Sequence, residues 1–199
     1  MTSLSEEHNP YAAPEAELQV QGVQSQPAAF RPMSPRKAAV MSMLTFNFYD
    51  LVFWYWHWAE LKKSGHDVSP FLRAFFAGFT SFRFVTILCT ARAERDLESG
   101  PDLRSSAGIY LALNFGSRMA DKALEGVPGL LVTMLACAGC AWVLATIQRG
   151  ANEVLAADNY QGPSDSGVTA SAILTGALGL VFWLFAIVGT VSPESVDFE

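Results

Sequence analysis

From Arg36 onward the chain alternates between apolar blocks of about 20 residues, the length that spans a bilayer, and short charged connections. That alternation restricts the fold more than any other feature. A helical block of this length rises about 30 Å, the thickness of a hydrocarbon core. Of the 199 residues, 51% are hydrophobic and 16% charged, against roughly 25% charged in ordinary soluble domains, so the apolar excess has to face something other than water. The sequence predicts an all-α, polytopic helical membrane protein.

Four blocks have membrane length: 38–58, 71–91, 127–147 and 167–191. A fifth, 106–122, is apolar over AGIYLALNFGSRM only, so the prediction is five transmembrane helices, or four if this piece lies in the interface. The first block ends in FYDLVFWYWHW, an aromatic run suited to the headgroup level. Pro70 is placed to open the second helix at its first turn. Together, 36–192 reads as the transmembrane domain and 193–199 as a short acidic tail.

The first 35 residues have a different character. They carry Glu6, Glu7, Glu15 and Glu17 among five prolines and lack apolar periodicity, which predicts a disordered cytoplasmic tail. MTSLSEEHNPYAAPEAELQVQ has no basic start and no apolar core, so it does not read as a cleavable signal peptide. With five spans, seven Lys and Arg fall on the tail side and five opposite; with four spans the division is eight to four. Both divisions favour a cytoplasmic N-terminus. No basic stripe with interleaved aromatics is present, so nucleic acid is not an expected partner.

Three elements, NPYAAP in the tail, FYDLVFWYWHWAELKKSGHDVSPFLRAFF across the first connection and QRGANEVL before the last block, resemble a family of uncharacterised bacterial membrane proteins. The resemblance covers about a quarter of the chain, counted over 9–14, 48–76 and 148–155. It implies several spans with a short hairpin between the third and fourth, which favours five. It implies no activity.

Ionisable groups inside a membrane helix cost roughly 2.5–3.5 kcal/mol on insertion scales, so each needs a partner or a polar cavity. Asp50 and Arg83 are such groups, at depths within an arginine's reach on adjacent antiparallel helices, and the sequence predicts an ion pair between them. Asn47 and Asn114 are candidates for a polar path past that pair. Cys137 and Cys140, in CAGC, share one helical face at the spacing of a redox dithiol, but their apolar setting favours plain packing. His57 with Glu60, and His66 with Asp67, match no standard zinc spacing and read as solvated interface residues. No metal or other cofactor is expected. Ala172 with Gly176, Thr175 with Gly179, and Ala136 with Cys140 form small-residue ridges, suited to close helix packing or to contact with another membrane protein or a second copy.

The chain has no nucleophile–base pair and no phosphate loop. The leading expectation is therefore a non-enzymatic accessory or interaction component whose constant partner is the lipid bilayer. The alternative is a small transporter or channel subunit using Asp50 and Arg83. Third is a membrane thiol oxidoreductase acting through Cys137 and Cys140.

Overall fold

The computed structural model describes residues 29–97, 102–124, 126–162 and 170–191, and every regular element within them is an α-helix. In order these are α1 (Pro35–Leu44), α2 (Phe48–Lys63), α3 (Pro70–Phe75), α4 (Ala77–Ala93), α5 (Leu103–Ala123), α6 (Val127–Ala157) and α7 (Ala170–Val191). Residues 1–28 and the acidic end at 193–199 lie outside the described residues. The expected tail is shorter than 35 residues in one respect: Phe30 and Met33 are fully buried and belong to the core.

The block at 38–58 is two helices instead of one. Phe46 and Asn47 take left-handed backbone angles, φ 51° and 64°, between α1 and α2. Asparagine accepts that region readily, but a phenylalanine needs outside support. The chain then doubles back. Tyr49 Oη reaches Met33 Sδ at 3.5 Å and the Arg31 guanidinium lies 4.3 Å over Trp56. In one continuous helix residues 31 and 56 would be about 37 Å apart.

The reversal leaves few backbone groups unpaired, because Thr45 N donates to Met41 O, Asn47 N to Ser42 O and Phe48 N to Thr45 O. The Thr45 hydroxyl also accepts from Tyr49 N at 2.9 Å, supplying the first turn of α2 with a partner.

The block at 71–91 is also broken, at Phe76. Thr80 Oγ1 donates to the Arg73 carbonyl at 2.6 Å, although residues seven apart in a helix are separated by about 10 Å. Arg73 and Phe84 both pack on Trp58, at 4.5 Å and 5.6 Å, so α3 and α4 flank the same side chain from two directions.

By contrast, the doubtful block at 106–122 is a helix of 21 residues, about 31 Å long. Its start is fixed by Asp102, whose side chain accepts from Arg104 N and Ser105 N. Leu103, Ala107 and Tyr110 face inward as one stripe, with Asn114 half-buried on its continuation.

α6 runs antiparallel to α5: Leu103 packs at Gly150 and Leu113 at Gly139. Among the described residues α6 and α7 are the two helices long and apolar enough to cross a membrane.

The starts of α1 and α5 and the ends of α2, α4 and α6 gather at one end of the bundle. There Phe84 is enclosed by the rings of Phe30, Trp54, His57 and Trp58. Gln148 Nε2 donates to the Arg31 carbonyl and Asn152 Nδ2 to the Met33 carbonyl, which ties the strap before α1 onto α6. Arg92 pairs with Glu153, and Arg95 makes a two-pronged contact with Asp158 at 2.6 and 2.9 Å.

α7 braces the reversal. The Trp183 ring lies 3.8 Å from that of Phe46, its Nε1 donates to the Met43 carbonyl at 3.0 Å, and Phe182 stacks on Phe48. Such approach is possible because Gly179 lies directly under the Leu44 carbonyl: a Cβ there would come within 2.6 Å of the carbonyl carbon. At Gly176 it would meet Leu44 Cδ1 at 3.8 Å, an ordinary contact. Two members of the small-residue ridge therefore pack within the chain; the Ala172 side chain lies outside the described set. Gly179→Ala is expected to lower stability by about 1–3 kcal/mol through overpacking, while Gly176→Ala is tolerated or slightly stabilising. Thermal unfolding of both variants in mild detergent checks the contrast; equal behaviour would remove the brace.

Candidate functional site

Between the two breaks lies a cavity of about 580 Å³. The reversal supplies its floor with Asn47, Phe48 and Asp50; the bend supplies Ala74–Phe79; α5 supplies Tyr110, Asn114 and Arg118; and α6 supplies Thr133 and Cys137. This is within the size range of small-molecule sites. Both breaks contribute because a helix that stops short of its neighbours leaves space beside them.

Asp50 sits in the first turn of α2, where the helix N-terminus favours a negative group. It is only 4% exposed. Ser42 Oγ donates to its Oδ1 at 2.6 Å and Tyr110 Oη to its Oδ2 at 2.9 Å. Ser42 has a single proton, and with that given to Asp50 its oxygen faces the Asn47 side-chain amide at 3.1 Å. These bonds orient the carboxylate without neutralising it.

The expected Asp50–Arg83 pair is not formed. Its depth argument assumed two straight neighbouring helices, whereas α2 runs back from the reversal and α4 starts beyond the bend. Arg83 is exposed on α4 and does not line the cavity. Among the described residues no cationic side chain is paired with Asp50, and the one that shares its cavity is Arg118, two turns along α5 from Tyr110 and exposed.

The two asparagines do converge here. Asn47 and Asn114 both line the cavity, and Asn114 Nδ2 donates to the Tyr110 carbonyl at 2.9 Å while contacting Cys140 Sγ at 3.4 Å.

Cys137 and Cys140 are both free and buried. They differ in surroundings, since Cys137 lines the cavity and Cys140 is turned toward Asn114. No lysine, arginine or histidine contacts either thiol among the described residues, so the spacing of a redox pair lacks the cation that would activate it.

No family model matches the chain, and no curated protein or solved structure matches it.

His57, expected among solvated interface residues, is fully buried. The face of α2 that carries it is turned onto α6, where Nε2 meets Gln148 Oε1 at 3.0 Å. Glu60 stays near the surface and is paired with Lys63. No group of three or more His, Cys, Asp or Glu among the described residues could hold a metal ion.

Ser42 and Tyr110, the two partners of Asp50, were not singled out from the sequence. A hydroxyl eight residues before an intramembrane carboxylate signals a contact only if the helix reverses, and a lone tyrosine inside an apolar block looks like packing. Tyr110→Phe is expected to cost about 1–3 kcal/mol by leaving Asp50 Oδ2 short of a donor, and Arg83→Ala to stay within about 0.5 kcal/mol. Unfolding in detergent measures both. A large Arg83→Ala loss that vanishes in the Asp50→Asn background would restore the ion pair.

Proposed function

We propose that this chain is a polytopic membrane protein that binds a small solute in the cavity above Asp50, as a transporter or channel subunit of a bacterial inner membrane. The supporting observation is the buried carboxylate of Asp50, aimed into a cavity, oriented by Ser42 and Tyr110 and left without a cationic partner among the described residues. A carboxylate kept only for packing is best sealed against an arginine, because an uncompensated charge in an apolar setting is costly. This reading ranks the transporter or channel alternative above an accessory role. It remains non-enzymatic, since Cys137, the strongest nucleophile lining the cavity, has no hydrogen-bonded base among the described residues.

In this proposal five apolar segments occupy the bilayer and three cross it. α5, α6 and α7 cross, while the α1–α2 and α3–α4 pairs enter from the tail side and return. Support comes from the distribution of basic residues. Arg31, Arg36, Lys37, Lys62, Lys63, Arg92, Arg95, Arg104 and Arg149 fall at one end, nine of the 13, and only Arg118 and Lys122 at the other; Arg73 and Arg83 lie within the α3–α4 unit. That asymmetry exceeds the seven-to-five division of five straight spans and favours a cytoplasmic tail.

Cys137 is a built-in reporter of the cavity. In the full-length protein it is expected to react with a small membrane-permeant maleimide faster than Cys140, and a bound solute is expected to slow that reaction. A panel of an organic cation, an organic anion, a zwitterion and a neutral sugar tests the reading. If none of them changes the rate at Cys137, the solute-binding proposal fails.

A further inference from the structure

The solute's chemistry follows from the position of charge and aromatic surface in the cavity; the inference rests on the solute-binding reading above. Asp50 lies at the floor and is 4% exposed, while Arg118 stands at the rim, exposed and about 12 Å of helix rise beyond Tyr110. The two charges are therefore unequal in effect. The buried one acts through a medium of low dielectric, and the exposed one is screened by its surroundings.

Between floor and rim phenylalanine is the most frequent lining residue: Phe46, Phe48, Phe75, Phe76, Phe79 and Phe115 all line the cavity. Aromatic faces carry negative potential and attract cations, most strongly where water is excluded. They also offer apolar area to a solute's body. A hydrophilic ion would have to leave its hydration shell for these rings, and an organic cation with delocalised or shielded charge gives up far less. Five of the rings, Phe48, Phe75, Phe76, Phe79 and Phe115, are more than half exposed on the outside of the bundle, so the aromatic wall continues from the cavity to the surface that would meet lipid. A solute already partitioned into the membrane could enter along it.

We propose that the cavity binds lipophilic organic cations, with Asp50 as the counter-charge and the phenylalanine walls holding the apolar body. Asn47, Asn114 and Thr133 supply neutral polar groups around the charge. Ser42 and Tyr110 are positioning residues: they occupy one lone pair on each carboxylate oxygen of Asp50, which itself lines the cavity.

Tetraphenylphosphonium and tetraphenylborate, closely similar in shape and opposite in charge, separate the outcomes when titrated against the full-length protein in mild detergent. Saturable binding of tetraphenylphosphonium is expected, weakened about thirtyfold or more in Asp50→Asn because one member of a buried charge pair is lost, and substantially retained in Asp50→Glu. Gel filtration and helical circular dichroism of each variant show whether it is folded. Tetraphenylborate is expected neither to compete nor to slow maleimide reaction at Cys137. If tetraphenylborate binds as well as the cation, or folded Asp50→Asn keeps wild-type affinity, the cation assignment is overturned while the solute cavity stands. If neither ion binds but another solute protects Cys137, the assignment is again overturned and the cavity stands; if nothing protects Cys137, both fall.

Discussion

The reversal at Thr45–Asn47 fixes the positions of most other parts. A backbone turn within apolar surroundings must satisfy its own polar groups, and here Met41, Ser42 and Thr45 carbonyls and the Thr45 hydroxyl take up the exposed amides. A phenylalanine at positive φ is held by Trp183, which also binds the Met43 carbonyl. The consequence is that α2 returns toward the strap before α1. Asp50 is thereby brought to Ser42 and Tyr110, and His57 to Gln148.

The polar residues of the interior are sorted by this arrangement into two groups with different character. At the end where the strap, α2, α4 and α6 meet, Gln148 and Asn152 hold backbone carbonyls and Arg92 and Arg95 pair with acids on or after α6, while His57 Nδ1 and Trp58 Nε1 are buried without a hydrogen-bond partner among the described residues. Further along α5 and α6, beside the two helix breaks, Asp50, Asn114 and Cys137 face open space. Helix breaks that place polar groups beside a cavity are a recurring means of building binding sites in membrane proteins, because irregular backbone is tolerated there. The proposed solute site follows from that physical coincidence.

The helical class was legible from the sequence because apolar block length and composition are local properties. Asp50, Asn47 and Asn114 could be singled out as expensive side chains in apolar blocks, and the three line one cavity. The partner of Asp50 was not legible. Periodicity cannot distinguish a 20-residue helix from two shorter ones that fold back, and neither Phe46 nor Phe76 is a residue that announces a break. Asn47 was the one local hint, since asparagine tolerates left-handed backbone. His57 was misjudged for a related reason: its burial depends on α2 turning onto α6, a contact between residues 91 apart in the chain. The 106–122 segment stayed open between four and five spans because its apolar stretch, AGIYLALNFGSRM, is short; a helix of 21 residues forms there, though it is not among the two described helices long and apolar enough to cross a membrane.

If the first apolar segment enters the bilayer and returns, its connection to the second segment must lie on the same side as the N-terminal tail; if it crosses, that connection lies opposite. Single cysteines replacing Ser5 in the tail and His66 in the connection, with Cys89, Cys137 and Cys140 changed to alanine, can be probed with a membrane-impermeant maleimide in vesicles of either orientation. Modification of both positions from the same side is the predicted result. Modification of Ser5→Cys from one side and His66→Cys only from the other would contradict the reversal, and with it the cavity built upon Asp50.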